Sequence, residues 1–148
     1  MSKILNMLMA FVMSFGISGS NVNPSDIPEN SNFEVHFIDV GQADSALIEC
    51  DGETMMIDGG NVADSNVVAA YLKKEDVTEL NYVVCSHAHE DHVGGLSGAL
   101  SVTKADNIYA PKTKANTKAY KNFKKKAEEQ NVEMSVTKFS LAAVRLNF

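Results

Sequence analysis

The chain of 148 residues has no tryptophan, only three prolines and only two cysteines. Cys50 and Cys85 lie 35 positions apart with no further cysteine beside either. That spacing excludes a CxxC redox pair and a zinc ribbon and leaves room for one disulfide at most. Nine glycines and three prolines rule out a collagen-like chain, and a composition 45% hydrophobic and 22% charged rules out disorder. Positive charge is also short: 13 Lys and Arg stand against 19 Asp and Glu, a formal net charge of -6. A generally basic, nucleic-acid-coating protein is therefore excluded, though a local basic patch is not. Neither GxxxxGK(S/T) nor GxGxxG occurs, so Gly59-Gly60 is no phosphate cradle of those types. What remains is the composition of one globular domain with a core.

Residues 4–17 form the longest apolar run, and it is too short to span a bilayer comfortably. It fits the apolar region of a signal peptide, with Lys3 before it and the small residues Gly16, Ser18 and Ser20 after it as a cleavage site. The expected organisation is a signal peptide over 1–20, a linker rich in Asn, Ser and Pro over 21–32, and a domain over 33–148, in a secreted protein. The competing reading is a core helix at the N-terminus, which keeps the protein in the cytoplasm. An uncleaved leader is the one link to a membrane that this sequence offers.

In the remaining chain, 33–40 is a β-rich apolar run, and 45–50 and 53–58 flank Asp51-Gly52, a type I′ hairpin signal. Asp64 or Ser65 can cap a helix with Val67, Val68, Tyr71 and Leu72 on one face and Lys73-Lys74 in its last turn. A strand over 81–86 follows, ending in Cys85 as a small buried thiol. Gly94-Gly95 then opens a short helix close to other backbone, 107–110 is a strand, and Asn116 caps a helix to Gln130 with Ala119, Tyr120, Phe123 and Ala127 inward. The runs 133–139 and 142–148 read as strands. Helices and strands alternate, which gives the α/β class.

The chemistry concentrates in Ser86-His87-Ala88-His89-Glu90-Asp91-His92, where three of the four histidines of the chain stand within six residues. In an extended segment, residues two apart point the same way. His87, His89 and Asp91 can therefore converge on one side, while His92 turns inward as a helix begins and Glu90 is left to solvent. Imidazole nitrogen and carboxylate oxygen suit Zn²⁺, with Mn or Fe as alternatives.

His87-x-His89-x-Asp91-His92 resembles the HxHxDH motif of the metallo-β-lactamase superfamily. Two earlier segments extend the likeness: Phe37-Ile38-Asp39-Val40-Gly41-Gln42-Ala43-Asp44-Ser45 and Met56-Ile57-Asp58-Gly59-Gly60. Together they resemble the competence-protein, ComEC-type branch. The resemblance implies an αββα sandwich with two zinc ions at the edge of its sheets and a hydrolase acting through metal-activated water. Phosphodiester bonds, DNA among them, are its favoured substrates, with another ester, a thioester or a lactam as the alternative. It implies that His87 and His89 hold the first ion and that Asp91 and His92 hold the second. Asp91 also faces the attacking water, which makes it the catalytic residue. Asp58 supports the loop without ligating, and Asp39, Gln42 and Asp44 lie toward the substrate.

A complete domain of that superfamily carries a further His, a bridging Asp and a final His downstream. Here no His follows His92 and no Asp follows Asp106, so the expectation is an incomplete domain, its N-terminal half, and an inactive metal-binding fragment is a rival to the enzyme. A half sandwich bares the inner face of its sheet unless another chain covers it. Two weaker signals have ordinary readings. The basic run from Lys112 to Lys126 is a solvated helix face rather than a nucleic-acid patch, and His36 is a packing or surface residue of its strand.

Overall fold

The computed structural model describes residues 32–136. The leader, most of the linker and the expected strand over 142–148 lie outside them. The chain begins with a meander: β1 (Phe33–Phe37), β2 (Ala46–Cys50) and β3 (Glu53–Ile57) pair antiparallel in sequence order. The β2–β3 turn places Asp51 at φ 49° and Gly52 at φ 90°, the two positive values that a type I′ hairpin requires. β4 (Glu79–Val84), β5 (Lys104–Tyr109) and β6 (Met134–Ser135) then add in parallel, giving one mixed six-stranded sheet in the order β1-β2-β3-β4-β5-β6.

Parallel neighbours need crossovers, and helices supply them. A 3₁₀ turn (Val62–Asp64) leads into α1 (Ser65–Lys74) between β3 and β4. The short α2 (Glu90–Val93) and α3 (Leu96–Val102) lie between β4 and β5, and α4 (Lys118–Glu129) lies between β5 and β6. α3 packs against both α1 and α4. The mixed sheet flanked by helices is the α/β architecture expected from the alternation of elements.

The register separates the two sheet faces. His36, Leu47, Met56, Val83 and Ile108 are cross-strand partners on the helix side, and the last four are essentially inaccessible. With Val68 and Leu72 of α1, Leu96 and Leu100 of α3 and Phe123 of α4 they make the core. Each such side chain contributes roughly 1.5–3 kcal/mol through burial. On the opposite face the partners include Val35, Phe37, Ile48, Met55, Ile57 and Tyr82, none of them buried.

Several local expectations change. β1 stops at Phe37 rather than residue 40, and the chain leaves the sheet toward the loop that carries Asp39 and Asp44. Val67 is 46% exposed, because at 100° per residue the inward arc of α1 is filled by Val68, Leu72 and the half-buried Tyr71. Asp64 does not cap α1 with its side chain: the carboxylate turns back and accepts the Asn61 N–H at 2.8 Å. α4 is capped by Thr117, whose Oγ1 accepts from the Tyr120 N–H at 3.2 Å, so Asn116 lies one position too early. Cys50 and Cys85 do not form a disulfide.

Candidate metal centre

Three loops at one end of the sheet meet through backbone hydrogen bonds. They are the loop after β1 (38–45), the loop after β3 (58–61) and the segment after β4 (85–95). The Asp44 N–H donates to Asp91 O at 3.3 Å, Gly60 N–H to Asp44 O at 2.8 Å, and Gly59 N–H to His92 O at 2.7 Å. The Gly95 N–H donates to Gly60 O at 3.1 Å. This contact demands glycine, since a Cβ at Gly95 would meet the Gly59 carbonyl oxygen inside any permitted distance.

β4 ends at Val84, the chain bends at Ala88 and His89, and His89, at φ -70°, ψ 151°, stands directly before α2, which contains Asp91. His87, His89 and Asp91 bring one ligand atom each within 4.8 Å of one another, but through the bend at 88–89 and the first turn of α2 rather than through the extended segment expected from the sequence. His87 belongs to a second such group with Asp58 and His92. The rings are in contact: His87 and His92 centroids are 3.8 Å apart, and those of His87 and His89 are 4.8 Å apart. Glu90 is exposed.

Asp58 is the buried anchor of the cluster. It adopts φ 54°, a left-handed conformation that Asp tolerates better than most residues, held by its N–H donating to Val84 O at 2.9 Å. Its Oδ1 accepts the Ser86 N–H at 2.8 Å, and its Oδ2 faces both the Ser86 hydroxyl and His92 Nδ1, the latter at 2.9 Å. With Nδ1 engaged there, His92 presents Nε2 to Asp44 Oδ2 and Asp91 Oδ2, each 3.6 Å away. The His92 side chain is 14% exposed and that of Asp91 49%, so the cluster runs from a buried base to an open rim.

The residues expected from sequence are not equally close. His87, His89, Asp91, His92 and Asp58 are together, and Asp44 joins them at His92. Asp39 and Gln42 are exposed in the same loop, and Asp39 Oδ1 accepts the Gly41 N–H at 3.1 Å rather than reaching the cluster. Sequence reasoning passed over Ser86, which touches both Asp58 and His87. The signal available was its place directly before the first His of the motif. Cys85 Sγ donates to His87 O at 3.1 Å. Burial, followed by the nearby charge of Asp58, pushes this thiol up to about 12, so with no cation beside it the thiol stays protonated at neutral pH and is a poor nucleophile.

The donor set fits a divalent cation. Three imidazoles packed ring to ring, each with a lone-pair nitrogen and with Asp44, Asp58 and Asp91 around them, form a site whose nitrogens and carboxylates repel one another until a cation sits between them. Carboxylate support behind an imidazole, as Asp58 gives His92, is the usual outer shell of a metal-binding histidine.

A mixed α/β sheet with a His/Asp cluster on the loops at one of its ends defines an α/β protein with a candidate metal site. Residues 38–136 match the family model of the metallo-beta-lactamase superfamily, and the chain belongs to that superfamily. Among solved structures it is similar to a Cronobacter sakazakii metallo-beta-lactamase HARLDQ motif mutant, with 20% identity, a TM-score of 0.47, and coverage of 53% of this chain and 31% of that one. It is also similar to the metallo-beta-lactamase SMB-1 in complex with mercaptoacetic acid, at 23% identity, TM-score 0.47, covering 61% and 37%. A diphosphatase from the PhnP family matches at 19% identity, TM-score 0.42, covering 64% and 37%. The chain thus spans about a third of the length of these structures. No curated protein matches it.

Proposed function

We propose that this chain belongs to an exported, metal-dependent hydrolase of the ComEC-type branch whose substrates are phosphodiesters, DNA included. The observation that carries the metal reading is the convergence of His87, His89 and Asp91, with His92 Nε2 3.6 Å from Asp91 Oδ2 and its other ring nitrogen held by Asp58. Support for the branch comes from three motifs in order, at 37–45, 56–60 and 86–96. His87, His89, Asp91 and His92 would hold the ions, zinc first by ligand type and Mn or Fe next.

A divalent ion held there would supply a water of lowered pKa, about 7, and a Lewis acid for the phosphoryl oxygen. The protein's own part is geometric. Asp58 keeps the His92 ring turned with Nε2 toward the rim, 3.6 Å from Asp91 Oδ2. Asp91, half exposed, offers Oδ2 to accept a hydrogen bond from the attacking water and so to orient it. Asp44 Oδ2 lies 3.6 Å from the same His92 Nε2.

A second reading, a metal-binding chain without turnover, draws on one fact. Among the described residues every donor group uses the single segment 87–92, aided only by Asp58. Elemental analysis of the purified full chain beside its His87→Ala/His89→Ala variant tests the site. The expected result is about one to two ions per chain, lost in the variant. Equal metal in both overturns the site. Metal-dependent hydrolysis of bis(p-nitrophenyl) phosphate by the full chain supports the enzyme, and bound metal without hydrolysis of any phosphodiester, ester, thioester or lactam supports the second reading.

A further inference from the structure

We propose that Ser86 is a positioning residue that fixes the tautomer of His87, relaying the Asp58 carboxylate to the ring so that Nε2 keeps its lone pair for a ligand. The inference rests on the metal reading of the site but concerns the protein without metal. Asp58, as a carboxylate, only accepts hydrogen bonds. The Ser86 hydroxyl against Asp58 Oδ2 therefore donates its one proton there. The same oxygen lies 3.0 Å from His87 Nδ1, and with its proton already committed it can only accept from that nitrogen. Nδ1 must carry the hydrogen, which leaves Nε2 unprotonated in the neutral ring.

Asp58 treats His92 in the same sense without an intermediary, since Oδ2 takes the Nδ1 hydrogen at 2.9 Å. One buried carboxylate thus sets two imidazoles, one directly and one through a hydroxyl. The relay is held in register by the Ser86 N–H to Asp58 Oδ1 bond at 2.8 Å, which stops the serine from swinging away although it stands at the exposed rim. Among the described hydrogen bonds His89 has no such buttress, so Asp58 orients two of the three rings, and His89 meets them through its edge-to-face contact with His87.

The tautomer is directly readable. Long-range ¹H–¹⁵N correlation spectra of the metal-free full chain, recorded above the imidazole titration range, distinguish a protonated Nδ1 from a protonated Nε2. The expected spectrum shows His87 and His92 with hydrogen on Nδ1. In Ser86→Ala, His87 should revert to the Nε2-protonated form that solution favours while His92 is unchanged, and Ser86→Thr should restore the wild-type pattern. Cobalt titration of the same proteins should show affinity about 10-fold or more weaker in Ser86→Ala and recovered in Ser86→Thr. An Nε2-protonated His87 in the wild type, or a His87 unchanged by Ser86→Ala, overturns the relay. If Ser86→Ala does not fold, the wild-type spectrum decides alone. A wild-type protein with the expected tautomers that binds no divalent ion upholds the relay and defeats the metal reading instead.

Discussion

Asp58 shows how much one side chain can organise. Its backbone takes a positive φ, its carboxylate is buried, and it meets Ser86 and His92, which lie 28 and 34 positions further along the chain. Cys85, packed beside it, gives a residue-scale prediction about alkali. The folded chain holds the thiol proton more tightly than the unfolded chain does, with a value of about 12 against 9.0. A raised pKa of this kind contributes stability that is complete below about 9 and is lost as pH climbs through about 12. Thermal unfolding followed from pH 8 upward should therefore fall more steeply for the wild type than for Cys85→Ala. Parallel curves would show that the thiol is solvated. At neutral pH, iodoacetamide should leave Cys85 unmodified in the native protein and label it after denaturation.

The elements divide into those that bury area and those that aim loops. α4 belongs to the first kind: Ala119, Phe123 and Ala127 recur at four-residue spacing and are buried, while its lysines lie outward, in part paired with Glu128 and Glu129. Phe123→Ala should cost about 3–5 kcal/mol in denaturant unfolding, whereas Lys124→Ala should stay within about 0.5 kcal/mol. A loss below 1 kcal/mol for Phe123→Ala would mean that α4 is not docked on the core. The short α2 and α3 belong to the second kind, because the Gly94-Gly95 junction between them lets the 58–61 loop approach. Gly95→Val should destabilise the fold by roughly 1–3 kcal/mol. It should also weaken metal retention, since the displaced Gly59–His92 pairing carries the ligand loop. Unchanged unfolding and metal content together would rule out the close approach.

At the scale of the molecule, the sheet has two unlike faces. The helix side is closed by α1, α3 and α4, while the other presents Val35, Ile48, Met55, Ile57 and Tyr82 half-buried and Phe37 81% exposed. Phe37→Ser should shift the stability of the chain by no more than about 0.5 kcal/mol, the range of surface changes. A drop of several degrees in thermal midpoint would show that something in the full chain covers that residue.

The parts legible in the sequence were those whose cause is local. The Asp51-Gly52 turn, the inward spacing of Val68 and Leu72, and the run of Ala119, Phe123 and Ala127 are set by backbone sterics and by the period of the helix, which act over a few residues. The nearness of His87, His89 and Asp91 was legible from their density in the chain, but it arises from a bend and a helix start rather than from a strand period. Chain ends of elements were harder. Thr117 and Asn116 are both good caps, and which one serves depends on where Ala119 and Phe123 must enter the core. Three features were decided only by folding. These are the meeting of Asp44, Asp58 and His92, the insertion of Ser86 between Asp58 and His87, and the union of three loops around Gly59 and Gly95. They join residues brought together by the order in which β3 and β4 pair in parallel, and no short-range period encodes that neighbourhood. The sequence by itself determined which side chains could bind a cation, and the tertiary structure determined which of their atoms face it.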